Sequence, residues 1–457
     1  MSIDAFLDDP ESAQLQIASD PGLMCEVFRR HLRPITSPAY EIQECTIYRV
    51  RCYRGADRGV LQYTLRLVQL VTGRERSQRV SGLVYAESNL AARIYRTLDA
   101  ATSRTVLDET LSPFEPYSFI PELQMLVQVF PYDWRLPSLP LLMTRPSPEL
   151  ERQLLADFGV GHWEVAAYTI EPIRYRASLG AALRYTLQGR DITTGSQEQR
   201  RFYVKVYPEI EEAAYSNEVL QILYTQASAG GDRFRIGRPI AFLKDHNAVF
   251  QEEVFGVSLQ EIFLKGSDAT NLMRQAARAV AAFHLDSVAV ARQHGAADEV
   301  KALERAKNLL QWSCPSLSAE VDAIIRTVIA GLNEVPLRPT HRDLRLDHIL
   351  CDDGGLGLVD LDDFAAADPV LDVANLLAHL AGLSLRSKVP RERMETHATA
   401  FADEYFAQVP SSWRDRLPLH YAGALMKVAP GYFRRQKSGW REKIAVFLQE
   451  AKANLTD

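Results

Sequence analysis

The sequence predicts an α+β protein with a mainly β first part and a helical last part, and three observations lead there. From Tyr40 to about Glu87 the chain is rich in Tyr, Val, Ile and Thr, punctuated by turn-forming Gly and Asp, which is the signature of antiparallel strands. A second stretch of the same character begins at Thr169. From Asn271 onward apolar residues recur at helical spacing, in RQAARAVAAFHL, ERAKNLLQW, AEVDAIIRTVIAGL, DVANLLAHLAGL and EKIAVFLQEAKANL. At 457 residues the chain is too long for one ordinary core and predicts at least two domains.

Taken in order, Leu23, Met24, Val27, Phe28 and Leu32 are spaced for a short helix between Asp20 and Leu32, which Pro34 stops. Strands follow to Glu87, then a helix from Asn89 to Leu98. The Pro-rich run FPYDWRLPSLPLLMTRPSPEL predicts an extended connector with a boundary near Pro146. A short helix over Glu149–Phe158 leads into the second β-rich stretch. The helical part carries one β-like interruption, from Thr340 to Ala374.

The two β-rich stretches are similar to each other. TIYRVRCYRGADRGVLQYTL, from Thr46, aligns with TIEPIRYRASLGAALRYTL, from Thr169. Tyr63-Thr64-Leu65 falls on Tyr185-Thr186-Leu187, Gly73 on Gly195, and Val84-Tyr85 on Val206-Tyr207. The copies differ at charged positions: Lys205 corresponds to Leu83, and Glu218 to Arg96. Only the second copy keeps a Lys on a strand and a Glu on the following helix, which predicts a scaffold first and a working lobe second.

A net charge of −6 supplies no basic field for nucleic acid, and the expectation is that none binds. Five cysteines, Cys25, Cys45, Cys52, Cys314 and Cys351, include no Cys-x-x-Cys pair and predict reduced thiols in the cytoplasm. The acidic start MSIDAFLDDPESAQ lacks the features of a secretory signal, and no apolar run approaches the roughly 18 residues of a membrane span. No membrane partner is expected, and the sequence does not determine the oligomeric state.

The interruption reads THRDLRLDHILCDDGGLGLVDLDDFAAADPVLDVANLLAHL. Ile349-Leu350-Cys351, a turn at Asp352–Gly355, and a second strand from Gly357 to Leu361 predict a β-hairpin. Asp343 and His348 precede it and Asp360 follows it, so the hairpin gathers them at one end. Oxygen acceptors with room for a metal are what phosphoryl transfer requires.

His341-Arg342-Asp343, His348, Asp360, Asp368-Pro369 and Asp372 together resemble the pattern of the aminoglycoside phosphotransferase and choline kinase superfamily. The resemblance implies a two-lobed, protein-kinase-like fold with a mainly β N-lobe and a helical C-lobe. The organisation expected is a cap over 1–146, a degenerate N-lobe copy; an N-lobe with hinge over 147–255; and a C-lobe over 256–457. It also implies an ATP-dependent phosphotransferase acting on a hydroxyl of a small molecule, with Mg²⁺ as cofactor. In that scheme Asp343 is the catalytic base, Asp360 holds the metal with possible support from Asp362, Asp372 anchors the catalytic loop, and His341 orients it. Lys205 is the phosphate-pairing lysine and Glu218 its ion-pair partner. The backbone of Glu252, Glu253 and Val254 forms the adenine hinge.

Two positions depart from the family pattern. The family usually places Asn where this chain has His348, and imidazole is the softer ligand. That leaves direct ligation, a preference for Mn²⁺, or a hydrogen bond to a metal-bound water. The phosphate-covering loop, expected near Ala177–Ala181, offers only Gly180. These departures keep a second reading open, a non-catalytic nucleotide-binding sensor or interaction protein. A phosphatase with an aspartyl nucleophile would leave the His-Arg-Asp run and the Lys205 strand unexplained. His284, on an apolar helix, reads as a packing histidine.

The acceptor site is expected between the hairpin and the helices of Leu376–Lys452. Arg434, Arg435, Lys437 and Arg441 make that stretch cationic, and no carboxylate cluster for a polycationic antibiotic stands out beyond Asp403 and Glu404. Trp413, Tyr421, Tyr432, Phe433 and Trp440 are core or sugar-stacking candidates. A loose architectural similarity to bacterial maltokinase-type and glucosamine-kinase-type proteins points to a sugar, amino sugar or aminoglycoside-like acceptor.

Overall fold

The computed structural model describes residues 13–35, 40–51, 58–102, 108–227, 234–387 and 389–456. The fold is α+β, as expected. It divides into two compact units, one of Met1–Ala214, Ile240–Phe250 and Phe433–Ser438, the other of Tyr215–Pro239, Gln251–Tyr432 and Gly439–Asp457.

Two five-stranded antiparallel sheets dominate the first unit. One contains β1 (Tyr40–Arg51), β2 (Arg58–Gln69), β3 (Glu75–Tyr85), β4 (Tyr117–Ile120) and β5 (Met125–Val129), in the order β1-β2-β3-β5-β4. The other contains β6 (Trp163–Arg176), β7 (Gly180–Asp191), β8 (Gln197–Val206), β9 (Pro239–Leu243) and β10 (Ala248–Glu252), in the order β6-β7-β8-β10-β9. The order is the same, and so is the register. Tyr63 pairs with Val80 and Val60 with Leu83, while Tyr185 pairs with Phe202 and Ala182 with Lys205, matching positions 122 apart.

The correspondence reaches the turns. Each fourth strand ends in a single 3-10 turn, Pro121–Leu123 or Lys244–His246, closed by a residue at positive φ, Gln124 (44°) or Asn247 (47°). The tyrosines of the shared Tyr-Thr-Leu run are both buried, and both hydroxyls donate to a backbone carbonyl: Tyr63 to Ala18 at 2.6 Å, Tyr185 to Leu142. A helix precedes each sheet, Pro21–His31 capped by Asp20 and Pro148–Leu155 capped by Ser147. Their serine or aspartate caps followed by Pro are the residues that start a helix. The connector expected to be extended contains a short helix, Leu139–Leu142, whose Leu139 and Leu142 are buried. Burial of that leucine pair overrides the Pro-rich composition.

One hydrophobic core runs through both sheets. Val60, Leu83 and Leu126 form a row across the first, and they share a cluster with Leu183, Phe202, Val204, Val206, Ala248 and Phe250 of the second. Side chains alternate across a strand. The face carrying Leu83 is therefore covered by the second sheet, whereas Lys205, between Val204 and Val206, lies on the face turned away from this core.

A polar clamp joins the sheets at one edge. Asp133, fully buried, accepts from Tyr175 Oη (2.9 Å), the Ser178 backbone N–H (2.6 Å) and the Arg135 N–H (3.0 Å). Arg51 donates to the Ala177 carbonyl at 2.7 Å. Burial pushes the Asp133 carboxyl above its ordinary range, and these donors pull it back only in part.

The second unit is mainly helical, with helices that include Thr270–Leu285, Val370–Ser384, Arg391–Gln408 and Leu417–Val428. The hairpin pairs Ile349–Asp352 with Gly355–Leu358 around Asp353-Gly354. Its second strand stops at Leu358, short of the expected Leu361, because Asp360 takes a φ of 65° that extended chain does not allow. Asp368 fixes the following helix to the body: its carboxylate accepts Arg416 Nε and Nη2 and His420 Nε2, each at 2.9 Å. Four cysteines among the described residues are free and buried, and Cys52 lies outside them. No helix among the described residues is long and apolar enough to cross a membrane.

Candidate active site

The loop that carries His341, Arg342 and Asp343 is shaped by its backbone. Arg342 and Asp360 both sit at positive φ, 67° and 65°. Such strain costs roughly 1–3 kcal/mol at each non-glycine position and persists only where neighbours hold it. The holder is Asp372, fully buried in the first turn of Val370–Ser384. Its carboxylate accepts the backbone N–H groups of His341 (2.7 Å) and Arg342 (2.6 Å). His284 Nε2 lies 3.0 Å from the same carboxylate, and Tyr405 Oη lies 2.7 Å from His284 Nδ1. With Nε2–H donating to Asp372 and Nδ1 accepting from the Tyr405 hydroxyl, His284 satisfies both contacts. Asn375 adds a bond from Nδ2 to the Leu344 carbonyl at 3.3 Å.

His341 is buried and ties the loop to the hairpin. Its Nε2 donates to the Val359 carbonyl at 3.0 Å, and its Nδ1 accepts the Asp343 N–H at 3.3 Å. Both of these hydrogen bonds are to backbone groups, and its ring stacks on that of His348 with centroids 5.5 Å apart.

With the loop so held, Asp343, His348 and Asp360 converge: one ligand atom from each lies within 4.8 Å of the others. His348 Nε2 is 3.3 Å from Asp360 Oδ2. Arg345, which the sequence reading passed over, enters the same group. Its guanidinium is 3.7 Å from Asp343 Oδ2 and 3.4 Å from Asp347 Oδ1, and Nη2 contacts His348 Nε2. A cation two residues after the motif Asp was the signal available for it.

The electrostatics follow from burial. Burial pushes the Asp343 carboxyl up to about 6, with Arg345 and His341 opposing and Asp360 and Asp363 assisting. Burial, then Arg345 and His341, drives His348 down to about 2 against the pull of Asp360. His348 is therefore a neutral imidazole, the form that ligates metals. Its Nε2 faces Asp360, while its buried Nδ1 has no partner. Two carboxylates and a neutral imidazole fit a divalent cation such as Mg²⁺ or Mn²⁺. Asp362 is turned elsewhere, with its carboxylate 3.3 Å from Ser216 Oγ, and it is outside the converging group.

The other expected residues occupy distinct places. Lys205 is half-buried on β8 in the first unit, and Glu218 lies on the helix Ile210–Ala227 in the second. The Glu252 N–H is taken by the Arg238 carbonyl at 2.9 Å, and Glu252 Oε2 lies 3.7 Å from Arg238 Nε. Glu253 and Val254 follow the end of β10 and are half-buried. A Cβ on Gly357 would fall 2.3 Å from Val254 Cγ1, so glycine there admits the Val254 side chain. Residues Ala177–Leu179 form the β6–β7 turn, with Ser178 and Gly180 at φ 60° and 147°. The clamp of Asp133 and Arg51 holds that turn from the first sheet.

An antiparallel sheet followed by a helical lobe, with two aspartates and a histidine gathered beside a hairpin, defines a kinase-like phosphotransferase. Residues 190–415 match the family model described as the phosphotransferase enzyme family. That segment, just under half of the chain, is similar to this family, and the match supports a small-molecule phosphotransferase. No curated protein sequence matches the chain. Similar solved structures include an ethanolamine kinase of Plasmodium vivax, at 11% identity over 62% of this chain and 81% of that one, with a TM-score of 0.40. A choline kinase of Streptococcus pneumoniae aligns at 15% identity over 64% and 94%, TM-score 0.40. An aminoglycoside phosphotransferase in complex with gentamicin aligns at 12% over 68% and 99%, TM-score 0.42.

Proposed function

We propose that this protein is an ATP-dependent kinase that moves the γ-phosphoryl group to a hydroxyl of a sugar, amino sugar or aminoglycoside-like compound. The observation that carries the reading is the convergence of Asp343, His348 and Asp360 on a loop whose strain Asp372 supports. Asp343 orients the acceptor hydroxyl and takes its proton, a contribution typically worth about 10² to 10⁴ in rate. Asp360 and His348 hold Mg²⁺, which when bound neutralises charge on the transferred phosphoryl. Lys205, Glu218 and the backbone of Glu252–Val254 form the nucleotide-binding set. The first sheet is a degenerate copy of the N-lobe; the domains run 1–146, 147–255 and 256–457.

The test is a screen of sugars, amino sugars and aminoglycosides for acceptor-dependent ADP release by the full chain with Mg-ATP. Release with at least one class supports the reading. ATP binding without acceptor-dependent release by any of them favours the nucleotide-sensor reading. A specific contact motivates that second reading: Arg345 Nη2 lies against His348 Nε2, the lone pair a metal needs. Titration of Mg²⁺ and Mn²⁺ with ATP separates the two, since a sensor locked by Arg345 gains no affinity for nucleotide from either metal.

A further inference from the structure

The helix Val370–Ser384 has two working sides. One holds the loop of Asp343: Asp372 accepts the N–H groups of His341 and Arg342, and Asn375 Nδ2 donates to the Leu344 carbonyl at 3.3 Å. Further along that side the Gly382 carbonyl accepts Tyr432 Oη at 3.1 Å. At 3.6 residues per turn, Leu377 stands roughly 200° around the helix from Asn375. Leu380, Ala381 and Ser384 continue this opposite side, and with Leu377 they wall a cavity of about 260 Å³. The helices Arg391–Gln408, Leu417–Val428 and Trp440–Thr456 complete it, all within the second unit. None of Asp343, His348 and Asp360 is among the residues that line it.

The walls are mostly apolar, as in cavities that take small molecules. Met394, Ala398 and Ala402 form a row along the second helix, and Leu417 and Pro418 face them from the third. Alanine at 381, 398 and 402 leaves space that larger side chains would fill. The volume exceeds the roughly 150 Å³ that admits a benzene molecule. The charged groups of the lining are gathered around Glu450, whose Oε1 accepts Tyr421 Oη and whose Oε2 lies 3.5 Å from Arg391 Nη2. Arg391 Nε in turn donates to Glu395 Oε1 at 2.7 Å. One guanidinium thus faces two carboxylates, and the described charged residues of the lining carry one negative charge in excess.

The arginine is a weak partner for Glu450. Arg391 and Glu395 have side chains 61% and 60% exposed, and exposed ion pairs contribute little. The separation of 3.5 Å is longer than the about 2.7–2.9 Å of a charge-assisted hydrogen bond. Glu450, only 18% exposed, is the carboxylate that a closer cation would stabilise most. We infer that this cavity binds a small primary amine with an apolar body, the ammonium on Glu450 and the hydrocarbon against Leu377, Leu380 and Met394. A neutral molecule leaves the excess charge unmet, and an anion adds to it. The site stands on the side of Val370–Ser384 turned away from the loop of Asp343, so it is separate from the transfer centre.

The experiment is a ligand-observed NMR titration of the full chain, without nucleotide, at pH 7. The probes are cyclohexylamine, its neutral counterpart cyclohexanol and the anion cyclohexanecarboxylate. The amine is expected to bind saturably and at least about ten-fold tighter than either counterpart, the difference a charge-assisted hydrogen bond makes. Glu450→Gln keeps an acceptor for Tyr421 and should weaken the amine about ten- to hundred-fold while leaving cyclohexanol unchanged. Ala398→Leu fills the cavity and should weaken the amine and the alcohol together, with no loss in melting midpoint. Equal affinity for amine and alcohol, no saturable binding of the amine, or amine affinity unchanged in both variants overturns the inference. Because nucleotide is absent from the titration, failure of the kinase reading leaves this result as it stands, and failure here leaves that reading untouched.

Discussion

The two five-stranded sheets share strand order, register and turn positions, yet one face decides their difference. Leu83 and Lys205 occupy matching places on β3 and β8. Leu83 is fully buried in the core common to both sheets, and β3 is buried on successive residues from Val80 to Val84. Lys205 is half-buried on a strand whose alternate residues, Phe202, Val204 and Val206, fill that same core. The stacking is thus front to back: the face of the first sheet that carries Leu83, the counterpart of Lys205, is sealed by the rear of the second. A sealed face can keep leucine and has no use for a charge, which is why the matching positions of two similar sheets carry different residues.

That comparison breaks most visibly if the charge is moved. Leu83→Lys buries an unpaired ammonium and should cost about 3 to 5 kcal/mol in denaturant unfolding. Lys205→Met should leave stability within about 0.5 kcal/mol while lowering phosphoryl transfer at least about 100-fold. Equal tolerance of both substitutions would mean that the two faces are equivalent after all.

The clamp between the sheets comes next in size. Asp133→Ala strands the donors of Tyr175, Ser178 and Arg135 and should destabilise by about 3 kcal/mol, since each unsatisfied buried group costs about 1–3 kcal/mol when water cannot reach it. A raised KM for ATP in this variant would show that the β6–β7 turn depends on the first sheet. An unchanged KM and melting midpoint would reduce the clamp to a surface contact.

The clamp carboxylate also contrasts with Asp368 in its response to pH. Burial alone would raise Asp368, but His420 and Arg416 outweigh it and hold the carboxyl well below the usual range. Its stabilisation is fully present above the ordinary carboxylate pKa of about 4 and is lost as pH falls through the depressed folded value. Asp368→Asn should therefore cost about 2 to 3 kcal/mol at pH 7 and progressively less below about pH 4. Asp133 has the opposite sign: its folded pKa is raised, so falling pH relieves the buried charge. Denaturant titrations at several pH values check both slopes.

The smallest expected effect tests the sameness of the sheets. Tyr63→Phe and Tyr185→Phe each remove one buried hydroxyl-to-carbonyl bond and should cost similar amounts, about 1 kcal/mol apiece. Markedly unequal costs would show that the two tyrosines are not equivalent in energy despite their matching positions.

Much of this arrangement was legible in the sequence because it rests on local patterns. The Tyr-Thr-Leu runs, the helical periodicity after Asn271 and the hairpin turn at Asp353-Gly354 are short-range signals. The gathering of Asp343, His348 and Asp360 follows from where a hairpin begins and ends. What was not legible depends on long-range packing. His284 read as a packing histidine, and nothing local shows that it reaches Asp372, 88 positions away. Arg434 and Arg435 read as acceptor-face cations because their neighbours in sequence are C-terminal helices, but tertiary contacts place them in the unit that holds β1. The end of the second hairpin strand at Leu358 reflects the positive φ of Asp360, which no propensity for Asp at that position would require.

The central claim is that Asp343 serves phosphoryl transfer at a site that binds nucleotide. Its most direct measurement is acceptor-dependent ADP release by Asp343→Asn, set beside the melting shift that Mg-ATP gives the same variant. The account predicts transfer reduced by about 10² to 10⁴ with the nucleotide-induced shift retained. Turnover equal to wild type in a folded Asp343→Asn protein would contradict it.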